Sequence, residues 1–400
     1  MELARLSNSE FKIKREEFEN SINMKIDKDL FYTFYMNAKF FPQINSVSKD
    51  YINLKALFLK TNGKIPKAFS KLYFDKNSKI YKFESDLKII NDNLKKNGYH
   101  VIKNFISEKE IDKIKADLSY QKFYGSNKTQ YDYSDLQDYD KLKGDNHYFD
   151  SRFYTEMSSQ PLKKDSSLLK ILQNSFFRDV AGNYFGSRPF VNFFRVIVTK
   201  AKDEKFFSNS QITAAANKFH FDYSHLRSIR FFIYLTDVTD DSGPHTFIKS
   251  SHDDNFKYPK DEINFYDFNY KKFYNGTREG ILKDDWVNQN FSQSDQIKFI
   301  GKKGTLIIED TTGLHKGSNC HNGSREVLLL NYSLSNIGNL DLKFLPVIED
   351  SKNIEDSDVN YSFSEKSRED LKENKFNKKK PTFLRKVKKK ILAKSKNYLI

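Results

Sequence analysis

Cysteine is nearly missing. Cys320 is the only one in 400 residues, which excludes an intrachain disulfide and any zinc site built on several thiolates, and suits a reducing compartment. Metal chemistry in this chain must therefore rest on histidine and carboxylate. Long apolar runs are missing too. The richest, residues 30–41, is interrupted by Asn37 and Lys39 and falls well short of the roughly 20 residues that a membrane-spanning helix needs. Near the N-terminus Glu2, Glu10, Glu16 and Glu17 replace the charged-then-apolar layout of a secretory signal, so a cytoplasmic location is expected. Acid is absent from residues 375–400, which carry eleven Lys or Arg. Of the net charge of +15, that segment leaves 15 − 11 = +4 for the other 374 residues. The basicity belongs to a tail. Beyond Pro381 only Phe383 and Tyr398 could stack on bases, so nucleic acid is not expected as a partner.

Aromatic residues are plentiful: 37 Phe and 23 Tyr supply the apolar surface of a soluble core in a chain that is only 38% hydrophobic. Residues 1–80 mix short helical patterns with turn residues such as Thr61-Asn62-Gly63 and are read as an N-terminal extension without assignable chemistry. The pattern sharpens at Ser85. Leu87, Ile90 and Leu94 recur at helical spacing, Asn97-Gly98 ends that helix, and residues 99–105 alternate as a strand. Ser107 and Glu110 then form a capping box for a helix carrying Ile111, Ile114 and Leu118. Residues 121–150 read as a polar surface loop and residues 168–184 as one helix.

After Gly186 the character changes to strand. Residues 191–199, 228–236, 305–309 and 326–334 are short runs rich in β-branched and aromatic side chains, separated by Gly, Asp, Asn and Ser. Short strands without intervening helices imply an antiparallel sandwich or barrel. The expected organisation is a mainly β, α+β domain over residues 81–345 with flanking N-terminal helices, interrupted by a polar, aromatic insertion at 253–296. That insertion is either a lid or a plain surface excursion. An acidic linker (346–381) and a basic tail (382–400) follow.

The chemistry centres on His220-Phe221-Asp222. Alternation along a strand puts His220 and Asp222 on one face, so two metal ligands converge within three residues. Alone the pair is weak: 8 His and 34 Asp give about 0.7 chance occurrences in 400 residues, and a second copy stands at His252-Asp253-Asp254. Context separates them, because the first copy is followed closely by a strand and the second opens a polar loop. Downstream, Gly304 to Ile308 reads as a buried strand, His315 follows a turn, and Arg325 leads into the next strand ten residues later. A third ligand at His315 would complete a two-histidine, one-carboxylate face with positions left open. The planar guanidinium of Arg325 suits bidentate capture of a carboxylate.

In their order along the chain these motifs resemble the phytanoyl-CoA dioxygenase family from about residue 85 to residue 335. Asn97-Gly98-Tyr99 with Val101-Ile102, His220-Phe221-Asp222, Asp241-Ser242-Gly243-Pro244 with Ser250-Ser251-His252, and His315 with Gly317 and Arg325 each match an element of that family. The resemblance implies a double-stranded β-helix, that is, a cupin-like jelly roll, with iron at its open end. It also implies His220, Asp222 and His315 as both metal ligands and catalytic centre, and Arg325 on the distal carboxylate of 2-oxoglutarate. In that reading Fe(II), 2-oxoglutarate and O2 are used together, a C–H bond is hydroxylated, and succinate and CO2 are released. The serine-histidine segment of the family does not supply a ligand, which sets His252 aside. Asp222 argues against the halogenating relatives, which carry a small residue there. Asn192 and Arg195, on the preceding strand, are further candidates for contact with co-substrate or substrate.

Other histidines promise less. His225, in a turn, and His245, after Pro244, are expected in supporting or surface roles. The side chains of Cys320 and His321 point apart on extended backbone, and His100 and His147 have no companions. In the tail, Leu384, Val387 and Ile391 share a helical face flanked by lysines, a pattern that fits either peripheral contact of 382–400 with an anionic membrane at its inner face or a solvated tail. The substrate is expected to be a small or carrier-linked molecule. Two competing functions are a non-catalytic β-barrel binding module attached through that tail and another metal enzyme on a cupin-like barrel.

Overall fold

A computed structural model describes residues 8–22, 25, 87–125, 129–138, 152–155, 161–185, 189–201, 217–222, 227–253, 281–282 and 284–333. The boundaries expected near 80, 345 and 381, the linker and basic tail, and residues 254–280 of the insertion lie outside the described residues. No helix among the described residues is long and apolar enough to cross a membrane.

Helix α1 (Asn8–Ile22) lies in the N-terminal extension. Helix α2 (Lys88–Asn97) buries Ile90 and Leu94 and ends at Gly98. With φ at +86°, the backbone N–H of Gly98 turns back to the carbonyl of Leu94 at 2.9 Å, a left-handed cap that glycine adopts without steric cost. Strand β1 (Tyr99–Ile102) is shorter than expected. Asn104 takes a left-handed φ of 54°, and the N–H of Phe105 leaves the strand to reach the carbonyl of Gly304. Helix α3 (Glu108–Leu118) opens on the expected capping box of Ser107 and Glu110.

Residues 121–150 are not simply a loop. They contribute β2 (Lys122–Tyr124), β3 (Gln130–Asp132) and α4 (Tyr133–Gln137), and β4 (Arg152–Thr155) follows just beyond them. The reason is aromatic burial: Phe123, Tyr131, Tyr133 and Phe153 lose nearly all contact with solvent, each gaining on the order of 1.5–3 kcal/mol from transfer. Such three-residue strands are too short to show a period in sequence. The helix expected over 168–184 is two, α5 (Ser167–Gln173) and α6 (Ser175–Phe185). Between them Asn174 is extended, and its side-chain oxygen accepts from the N–H of Phe176 at 3.0 Å, the local competition that makes Asn a poor helix-interior residue.

The remaining elements are β5 (Phe190–Lys200), β6 (Phe219–His220), β7 (Ser228–Tyr234), β8 (His245–Ile248), β9 (Ile281–Leu282), α7 (Asp284–Asn290), β10 (Gln296–Phe299), β11 (Leu306–Asp310), β12 (His315–Lys316) and β13 (Ser324–Ser333). Two antiparallel sheets result, in the orders β1-β11-β7-β13-β5-β4-β2-β3 and β10-β8-β12-β6-β9. From β5 onward the chain passes back and forth between them: β5, β7, β11 and β13 lie in the large sheet, and β6, β8, β10 and β12 in the small one. That winding is a double-stranded β-helix, as expected.

Alternation sorts the large sheet into two faces. Phe231, Ile233, Leu328, Leu330 and Tyr332 join the helices in one core, while Phe232, Tyr234, Ile307, Val327 and Leu329 meet Phe247 and Phe299 of the small sheet in a second. Arg230, Glu309 and Arg325 occupy the second, inward register, where an apolar side chain would be the ordinary choice.

Candidate metal and co-substrate site

His220 and Asp222 face inward because their neighbours face out. Phe219 and Phe221 are buried in a separate cluster with Ile248, Leu282, Val287 and Leu314, so the intervening His220 and Asp222 turn to the opposite side. Leu314 does the same for His315. Strand β12 pairs His315 in register with His220, which brings the two rings to 4.4 Å between centroids. The N–H of Asp222 donates to the carbonyl of Thr311 at 2.8 Å, tying the first motif to the turn that precedes His315. One ligand atom from each of His220, Asp222 and His315 lies within 4.8 Å of the others.

Hydrogen bonds set the tautomers. Nδ1 of His220 lies 2.8 Å from the carbonyl of Lys218, and Nδ1 of His315 lies 2.9 Å from that of Gly313. A carbonyl only accepts, so each Nδ1 carries the proton and each Nε2 keeps its lone pair. Nε2 of His315 is buried without a hydrogen-bond partner, and burial lowers the pKa of this ring, holding it neutral as ligation requires. Arg230 donates through Nη2 to Oδ2 of Asp222, while Oδ1 lies 4.0 Å from Nε2 of His315.

Arg325 sits on the inward face of β13, opposite Thr199 of β5, and only 8% of it is exposed. Its Nε has no hydrogen-bond partner. Burial lowers its pKa, against the opposing influence of Tyr234 and Cys320. A guanidinium so placed is costly unless an anion completes it. Arg195 shares this face and stacks its guanidinium 4.7 Å from the centre of the Phe193 ring. Asn192 falls where the β5–β13 register shifts, and its side chain lies outside the described residues.

The sequence reading missed two residues, Arg230 and Glu309, and did not place His245 as close to the site as it lies. Their signal was a charge at a strand position whose neighbours two residues away are apolar, as in Arg230 and Phe232. His245, expected in a supporting or surface role, is a supporting residue, well buried and in contact with the site. Its Nε2 lies 2.8 and 3.1 Å from the two carboxylate oxygens of Glu309, and its ring is 5.3 Å from that of His315. Burial raises the pKa of Glu309, against the opposing charges of His315 and Arg230, and burial lowers that of His245.

The remaining histidines lie elsewhere. His252 is buried against the end of α2, with Nε2 3.2 Å from the carbonyl of Lys95, and is not part of the ligand cluster. His100 meets Asn93 at 3.0 Å. Cys320 is buried, its thiol donating to the carbonyl of Asn322, and His321 is exposed. His147 and His225 lie outside the described residues.

Two imidazoles and one carboxylate on one face leave three octahedral positions open, a donor set that fits non-haem Fe(II). The orphaned Nε2 of His315 fits the ion, and the orphaned Arg325 fits a dianionic co-substrate. A family profile described as phytanoyl-CoA dioxygenase matches residues 94–326. A search of curated protein sequences found no significant match. Among solved structures, the chain is similar to the epimerase SnoN, in complex with Fe3+, alpha-ketoglutarate and a nogalamycin, at 12% identity and TM-score 0.37 over 62% of this chain and 84% of that one. HygX from Streptomyces hygroscopicus, with nickel and 2-oxoglutarate bound, matches at 11% identity and TM-score 0.38 over 63% and 87%. EctD from S. alaskensis, with 2-oxoglutarate and 5-hydroxyectoine, matches at 12% and 0.38 over 65% and 78%.

Proposed function

Because the chain belongs to the phytanoyl-CoA dioxygenase family, we propose that it is an Fe(II)- and 2-oxoglutarate-dependent oxygenase that hydroxylates a C–H bond of a small or carrier-linked substrate. The observation that carries this reading is the convergence of His220, Asp222 and His315 to within 4.8 Å, in the same sandwich interior as the partnerless Nε of Arg325.

In this reading Nε2 of His220, Nε2 of His315 and Oδ1 of Asp222 hold the metal. When bound, Fe(II) and 2-oxoglutarate together supply the activation of O2, and succinate and CO2 are the co-products. The protein's part is placement. Arg230 occupies Oδ2 of Asp222 and so leaves one oxygen for ligation. Arg325 receives the distal carboxylate in a planar fork. Phe232, Phe247 and Phe299 pack between the sheets and keep the interior apolar, which strengthens each of these electrostatic contacts.

Anaerobic titration of the metal-free protein with Fe(II) and 2-oxoglutarate tests the proposal. It should produce a weak metal-to-ligand charge-transfer band that His315→Ala abolishes. Folded protein that gives no band would end the iron reading.

A further inference from the structure

The inward face of the large sheet carries a polar row directly behind the ligands. Glu309 on β11 is paired in register with Arg230 on β7, and Arg230 in turn with Asn331 on β13. Arg230 supports Asp222, as described above. Glu309 is fully buried and points at two imidazoles: its carboxylate accepts from Nε2 of His245 at 2.8 Å, and its Oε1 lies 3.7 Å from Nδ1 of His315.

An unsupported carboxylate in this position would be strongly disfavoured, and leucine or phenylalanine would fill the same interior at less cost. The geometry offers a return for that cost. We propose that Glu309, anchored by His245, is a positioning residue of the metal centre: its carboxylate sets a negative charge beside the protonated Nδ1 of His315 and thereby strengthens Nε2 as a metal ligand. The hydrogen bond from Nδ1 to the carbonyl of Gly313 fixes the tautomer, and the carboxylate adds charge to the same edge of the ring, as acids behind metal-bound histidines do.

His245 is suited to anchoring. Its ring is tilted against Phe232 at 4.9 Å and nearly parallel to Phe299 at 6.0 Å, which leaves it little freedom to rotate away from Glu309. Ligand, carboxylate and anchor come from β12, β11 and β8, so the arrangement spans both sheets and forms only when they pack.

The inference rests on the iron reading, and the test separates the two. Metal-free wild-type protein, Glu309→Gln, His245→Phe and Glu326→Gln are titrated with Co(II) and with Fe(II) under nitrogen, and the ligand-field bands of the Co(II) forms are compared. Glu309→Gln keeps the shape and an acceptor for His245 but loses the charge; it should lower metal affinity by about 10- to 100-fold and shift the Co(II) bands, with no loss of thermal stability in the metal-free form. His245→Phe should move affinity in the same direction by a smaller factor, and it carries the test should the first variant not fold. Glu326, buried on the outward face and bonded to Tyr133 and Gln137, is the control: its substitution should lower stability without changing the bands. Wild-type affinity and bands in Glu309→Gln, or unchanged affinity in His245→Phe, would overturn the positioning role while leaving the iron site standing. A wild-type protein that binds neither metal removes both.

Discussion

Arg230 and Asp222 form an ion pair at the edge of the proposed metal site, in which the guanidinium takes Oδ2 and leaves Oδ1 facing Nε2 of His315 at 4.0 Å. The pair decides how the carboxylate can ligate, because an oxygen already bonded to a cation is a poor second donor. Arg230→Leu should weaken Fe(II) binding by about 10- to 100-fold, measured by anaerobic competition with a chelating dye. Affinity equal to wild type would mean that Asp222 is held for ligation without Arg230.

Arg325→Met tests the co-substrate end. The variant removes a buried guanidinium whose Nε has no partner, so the melting temperature of the metal-free protein should hold or rise. The KM for 2-oxoglutarate should rise at least tenfold, and Arg325→Lys should not restore it, since an ammonium lacks the fork. A variant that loses stability but keeps its KM would assign Arg325 to structure.

Gly98 joins α2 to β1 under steric pressure from two directions. Its φ is +86°, and a Cβ there would stand 2.6 Å from Nδ1 of His252 and from the Phe247 ring. Gly98→Ala should therefore cost about 1–3 kcal/mol from backbone strain, and more from the displaced ring, read as a lower midpoint in urea. A loss below about 0.5 kcal/mol would show that Phe247 relaxes freely.

Asp310 should govern part of the acid sensitivity. Burial alone would raise its pKa, but Arg227, His252, Thr312 and Tyr184 outweigh burial and hold it below 3.8. A depressed carboxylate contributes stability that is complete above its unfolded pKa and drains away as pH falls through the folded value. Wild-type stability should thus drop from about pH 4 downward, and Asp310→Asn, less stable at pH 7, should show a flatter profile below pH 4. Parallel profiles for the two proteins would locate the acid transition elsewhere.

Legibility followed the range of the interactions. The strands at residues 191–199, 228–236, 305–309 and 326–334 were readable because each is a run of β-branched and aromatic side chains bounded by turn residues, as strands buried largely on both faces require, and the Ser107–Glu110 box because it is completed within four residues. The strands β2, β3, β8 and β12 were not, since two to four residues carry no period and are held only by neighbours far along the chain. Residues 121–138 read as polar loop because the sheet edge that receives their rings, β4 on β5, cannot be seen from within the segment.

The sequence by itself determined the donor chemistry on offer: one cysteine removed sites built on several thiolates, and the order of His220, Asp222, His315 and Arg325 supplied two imidazoles, a carboxylate and a guanidinium fork suited to a carboxylate. Strand alternation is a local property, so the shared face of His220 and Asp222 was available from three residues. Only the tertiary structure decided that His315 pairs across from His220 and that Arg230, Glu309 and His245 stand behind the proposed ligands. Those relationships depend on strand pairing within the small sheet and on its packing against the large one, and the residues that meet there are separated by up to 315 − 220 = 95 positions, too far for any periodicity to record.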